Sequence, residues 1–218
     1  MSIDLLNHII QGLFETIYMT SISGIIGSIL GIIVGLFLAT SDKNGLFPAP
    51  IISALIGFII NILRSIPFII LVIAMIPITR YIIGTSIGTK AAIIPLSIVV
   101  ISFIARLIEG SIREVSNDLI EMGIAMGASP LQIVFKILIA ESKTSIVRNV
   151  TTSFIGLINY SFLAGTIGGG GLGDLAIRYG YQRFMPEVTF FVILTIIALV
   201  QIIQIIGKSV EKQINRHH

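Results

Sequence analysis

The chain has 218 residues, 55% of them hydrophobic and 11% charged, with a mean hydropathy of +1.02. Ordinary globular domains are about 25% charged, so this composition excludes a soluble domain and points to a polytopic membrane protein. With no Cys there is no disulfide framework, thiolate metal site or Cys nucleophile. The net charge of +3 does not indicate nucleic acid, because excess Lys and Arg in a membrane protein report its orientation.

The first sixteen residues carry Asp4 and Glu15 but no Lys or Arg, unlike the basic start of a signal peptide. The charge-free run from Thr16 to Ser41 is the first expected span. Within it Ser23, Gly27, Gly31, Gly35 and Ala39 recur every four residues, a stripe of small side chains that lets another helix approach closely. The next apolar run, Asn44 to Thr79, is interrupted by Arg64. One span over about Gly57–Thr79 is the favoured reading; two shorter helices turning at Arg64-Ser65 are the alternative. Pro48 and Pro50 argue against regular helix at its start. Arg64 is the one charge inside a membrane run, and at a span centre it would cost about 2.5–3.5 kcal/mol. It either reaches back to the headgroups or serves as an ion-pair or gating group, with Ser65 beside it.

A short span follows, from about Ile87 to Arg106, and then a long polar connection, 106–148. In that connection Asp118-Leu-Ile-Glu121 fits a capping box with Asp118 as N-cap. Ser129-Pro130-Leu131-Gln132 fits a second one, with Pro at the first helical position. Gly127 lies where a helix ends in a left-handed residue. The expected form is helix, Gly turn, helix. Its first helix is apolar and nearly uncharged, so it needs a cover: the bundle, the lipid interface, or a soluble partner. Phosphate binding requires Lys and Arg, which speaks against a DNA-reading helix-turn-helix.

The fourth span, Asn149–Gly173, holds three adjacent polar residues, Asn159, Tyr160 and Ser161, followed by Leu163. Such groups pair between helices or line a wet path. They are the candidate translocation residues, with Tyr160 or Leu163 as gate. The run Gly168–Gly173 lacks the Gly-Lys-Ser/Thr of a phosphate loop and is expected to be a flexible external turn. Val188–Gly207 is the last span, in which Gln201 and Gln204 fit helix–helix hydrogen bonding. His8, His217 and His218 are too scattered for a metal site, and no catalytic constellation occurs within the membrane runs. With five spans, four Lys and Arg fall on one side and nine on the other, which puts the 106–148 connection and the C-terminus inside and the N-terminus outside.

Glu121-Met122-Gly123, with Gly127 four residues later and Ile137 ten beyond, resembles the E-A-A-x3-G-x9-I-x-L-P loop of ABC importer permeases. Met122-Gly123 stands in place of Ala-Ala, and Ile139-Ala140 in place of Leu-Pro, so the kink expected after the second helix is in question. Further segments are similar to the methionine-uptake permeases (the MetI type) of that family: Asn61-Ile-Leu-Arg64-Ser65-Ile-Pro67-Phe68, Gly84-Thr85-Ser86-Ile87-Gly88, Asn159-Tyr160-Ser161, and Gly168 to Gly173 with Tyr179-Gly180-Tyr181. The resemblance implies a single all-α permease domain over 1–218, a bundle of five transmembrane helices with a cytoplasmic coupling-helix loop at about 110–145 between helices 3 and 4, in the bacterial inner membrane. It implies a homodimer, two cytoplasmic ATPase subunits that carry ATP and Mg, an external substrate-binding lipoprotein, and no cofactor on this chain. It assigns ATPase coupling to Glu121, Met122, Gly123, Ala125, Gly127, Ala128, Ser129 and Pro130. An ion-coupled carrier or channel, a membrane scaffold, and a permease for another small amino acid are the rival readings. A carrier would keep ionisable groups at mid-membrane.

Overall fold

The computed structural model describes residues 3–43 and 45–215, and all regular structure among them is helical. Helix α1 (Ile3–Thr40) is followed by α2 (Pro50–Ser65), α3 (Phe68–Ile83) and α4 (Thr89–Arg113). Next come α5 (Asn117–Ala125) and α6 (Pro130–Ile133), which runs through a wide turn at Val134–Leu138 into α7 (Ile139–Ala164). A short α8 (Gly171–Leu175) and the long α9 (Pro186–Asn215) complete the chain. Among the described residues four helices are long and apolar enough to cross a membrane, or five if the bent pair α2–α3 is counted as one span.

Several expected boundaries move, each for a physical reason. Helix α1 starts well before Thr16, since charges mark a membrane boundary and do not end a helix. The expected single span Gly57–Thr79 is two helices at 113° to one another. Pro67 pushes the residue before it out of helical geometry, and Ile66 is extended (φ −80°, ψ 126°). Pro50, expected to disfavour helix, instead opens α2 at its first position, where a missing N–H costs nothing. Helix α4 continues two turns past Arg106. No proline stands at position 140, and the second arm of the hairpin runs without a break into the fourth span, from Pro130 to the kink at Ile167–Gly168.

The small-residue stripe on α1 packs against α4. Met19, Leu96, Val100, Ile104, Ile108 and Leu157 are buried together beside it. A Cβ on Gly31 would lie 2.7 Å from Ile104, and one on Gly35 would lie 2.6 Å from the Ala105 carbonyl. A Cβ on Gly27 would strike Val100. In lipid there is no hydrophobic gain from bringing two helices together, so close packing of this kind is what joins them. On another face of α1, Ile25, Ile29 and Ile33 are more than half exposed.

The glycine-rich run is an anchored structure, not the flexible turn expected. The chain breaks at Ile167–Gly168, and Gly88 N–H donates to the Gly168 carbonyl at 2.8 Å. The Gly171 N–H donates to Glu15 Oε2 at 2.7 Å, and the Leu172 N–H to Thr16 Oγ1 at 2.9 Å. Leu172 is buried with Leu5, Ile9 and Val188. Glu15 and Thr16 thus satisfy one amide each at the opening of α8, a favourable place for a carboxylate.

Candidate functional site

The hairpin α5–α6 stands at the end of the bundle where α1 and α4 finish. Its first cap is Ser116 and not Asp118: Ser116 Oγ accepts from the Asp118 N–H at 3.3 Å. Asp118 falls in the first turn instead, where its charge favours the helix dipole, and Glu121 lies mid-helix. The second cap has the expected residues. Ser129 Oγ accepts from the Gln132 N–H at 3.4 Å, Gln132 Oε1 accepts from the Ser129 N–H at 2.8 Å, and Pro130 opens the helix. Between them Gly127 has φ +78°, and the Ala128 N–H closes on the Gly123 carbonyl at 3.0 Å.

This geometry divides the hairpin residues into two faces. Gly123 is buried against Ile133 and Ile137, where a Cβ would come within 2.7 Å of Ile137. Ala128 packs against the main core. Glu121, Met122, Ile124, Ala125 and Met126 are exposed, as are Gly127, Ser129, Pro130, Leu131 and Phe135. Met126, at the tip, is 80% exposed. The outer face is therefore a compact apolar knob flanked by one carboxylate. Exposed apolar surface of this kind suits contact with another protein or with a membrane surface.

The polar candidates separate. The Arg64 guanidinium, exposed at the end of α2, lies 5.2 Å from the ring centre of Phe103 on α4. Tyr160 stacks at 6.0 Å from Phe103 and 5.0 Å from Phe68. The α2–α3 bend thus brings Arg64, Phe68, Phe103 and Tyr160 into one cluster. A cation over a ring contributes about 0.5–1 kcal/mol when exposed and more when desolvated. Ser65 is exposed and donates to the Asn61 carbonyl, Asn159 is exposed, and Leu163 is half-buried. Ser161 turns inward and donates to the Ile158 carbonyl. Phe103 sits in an apolar run that carries no distinguishing signal.

A further set was missed because α4 was expected to end at Arg106. Glu109 accepts from Arg106 Nη1 at 2.5 Å and from Arg113 Nη2 at 3.1 Å. Arg106 Nη2 also donates to the Gly57 carbonyl of α2 at 2.8 Å. Arg113 reaches Asp42 at 2.6 Å and the Leu38 carbonyl at 3.3 Å, both at the end of α1. Asn149 of α7 donates to Ser111 Oγ at 2.8 Å and to the Leu107 carbonyl at 3.2 Å. The Arg-x2-Glu-x3-Arg spacing, with neighbours three and four apart on a helix, was the available signal. No group of three or more His, Asp or Glu among the described residues could hold a metal ion; His217 and His218 lie outside them.

Residues 6–216 match the model of the family described as binding-protein-dependent transport system inner membrane component. This chain belongs to that family. It is a transport permease subunit of an ABC importer, a multi-pass inner-membrane protein, and not itself an ATPase; membership implies a separate ATPase subunit as partner. The permease is 45% identical over 202 residues to the probable D-methionine transport system permease protein MetI of Vibrio cholerae, covering 93% of this chain and 90% of that one. It is 39% identical over 203 residues to the methionine import system permease protein MetP of Bacillus subtilis, covering 93% and 91%. A solved chain of the MetNI methionine ABC transporter in inward-facing conformations superposes with a TM-score of 0.95 at 39% identity, over 98% of this permease and 99% of that chain. An amino acid ABC transporter solved with histidines shares the fold, with a TM-score of 0.76 at 18% identity over 98% and 100%.

Proposed function

We propose that this permease carries methionine inward as a homodimer, driven by two cytoplasmic ATPase subunits that bind ATP and Mg and supplied by an external substrate-binding lipoprotein. The observation that carries the reading is full-length similarity to methionine permeases together with an exposed, doubly capped apolar knob between the third and fourth spans. The loop at about 110–145 is the coupling element. Its exposed residues, Glu121, Met122, Ala125, Gly127, Ser129 and Pro130, meet the ATPase, while Gly123 and Ala128 seat the knob on the bundle. The hairpin end faces the cytosol and the N-terminus faces outward, in keeping with the excess of Lys and Arg at the hairpin end.

Transport proceeds by alternating access. ATP closes the ATPase pair, the hairpins move with it, and the spans tilt to open outward; hydrolysis restores the inward-open state. Coupling requires that the two membrane states differ in their contacts with the ATPase. Arg64, Ser65, Asn159, Tyr160, Ser161 and Leu163 form or support the path, with the Arg64–Phe103–Tyr160 cluster at its narrow part. The deciding experiment is uptake of labelled methionine by vesicles containing permease, ATPase and binding protein. ATP-dependent, binding-protein-dependent uptake is expected. Uptake by the permease alone, driven by an ion gradient, would establish a carrier instead.

A further inference from the structure

The last turns of α4 hold more polar contacts to other helices than any other part of the described chain. They also lie immediately before the segment 114–116 that leads into α5. Glu109 is their centre. Its side chain is only 12% exposed, and it accepts from two arginines that point in different directions. Arg106 extends to α2 through the Gly57 carbonyl. Arg113 extends to α1 through Asp42 and the Leu38 carbonyl. Two cations and two carboxylates balance, and removing the central anion would leave Arg106 and Arg113 without the acceptor they share.

We propose that Glu109 is a positioning residue for energy coupling. By clamping α1 and α2 onto the end of α4, it makes a displacement of the α5–α6 hairpin reach the α2–α3 bend that carries Arg64. Helix α2 meets α4 at two levels, Gly57 against Arg106 and Arg64 against Phe103, so a shift of α4 moves both ends of the contact. Arg106 Nε is buried without a partner. A buried donor left unpaired is costly, so a second arrangement of the clamp that supplies an acceptor gains relative to this one. A clamp with two discrete arrangements is what transmission between distant sites requires.

The inference rests on the importer reading, and its test separates the two. Methionine uptake and ATP hydrolysis are measured in the same vesicles holding permease, ATPase and binding protein. With Glu109→Gln, uptake per ATP hydrolysed is expected to fall about tenfold, towards the lower end of the usual range for coupling between sites, while the ATPase still co-purifies. Asp42→Asn, at the exposed edge of the clamp, should lower the ratio in the same direction by less. An unchanged ratio in both variants overturns the proposal, as does a parallel fall of uptake and hydrolysis, which would mean a merely structural role. If Glu109→Gln does not accumulate, Asp42→Asn decides alone. Failure of the unaltered complex to take up methionine with ATP overturns the importer reading instead.

Discussion

Gly127 lies at φ +78° with no atom of another residue near the position its Cβ would take. Asp tolerates that backbone region at a cost of about 1 kcal/mol, so Gly127→Asp should insert and fold while placing a carboxylate on the apolar knob. Normal amounts of the variant in the membrane with ATP-driven uptake abolished is the expected result. Normal uptake with the ATPase still bound would refute docking at this surface. Ser129→Ala removes one arm of the second cap and should cost about 1 kcal/mol, seen as a lower melting temperature of the purified complex. Ser129, Pro130 and Gln132 were legible in the sequence because a capping box is a local object. Asp118 was misassigned because Ser116 is an equally good cap, and only the backbone dihedrals distinguish them. The Arg106–Glu109–Arg113 spacing is a local signal, but the groups that the two arginines reach beyond Glu109, the Gly57 carbonyl and Asp42, are brought to them only by folding.

Between elements, the α1–α4 seam depends on the absence of side chains at Gly27, Gly31 and Gly35. Gly31→Leu must separate the helices or distort Ile104, and overpacking of this kind costs about 1–3 kcal/mol. The expected outcome is a permease that aggregates at a lower temperature in detergent; an unchanged temperature would show that the seam is loose. The four-residue spacing made this contact readable before folding, since it specifies a face. The α2–α3 bend was harder. Proline within a membrane helix is compatible with a kink or a full break; the choice fell to the extended Ile66 and to the packing of Phe68 beside Tyr160. The anchoring of Gly171 by Glu15 joins residues far apart in the chain, and no local pattern announces it.

For the molecule as a whole, hydropathy and charge carried most of the architecture. Four of the charge-poor runs became single helices long enough to span, and the run interrupted by Arg64 became the bent pair α2–α3. The absence of Cys makes the sidedness directly testable with single thiols. Phe184→Cys, in the turn before α9, should react with an impermeant maleimide on intact cells. Met126→Cys, at the hairpin tip, should react only after the membrane is opened. The reverse pattern would invert the topology and detach the hairpin from any cytosolic ATPase.

The unbroken helix from Pro130 to Thr166 would act as a seesaw. Asn149, fastened to α4 by two hydrogen bonds, sits near its midpoint and serves as the fulcrum. A sideways push on the tip at Leu131 then swings the far arm, where Tyr160 and Thr166 ride, in the opposite sense and by a comparable amount. Spin labels at Leu131 and Thr166, each measured against a mark on α4, should report changes of opposite sign when nucleotide binds. Changes of the same sign would mean that the rod slides and does not rock.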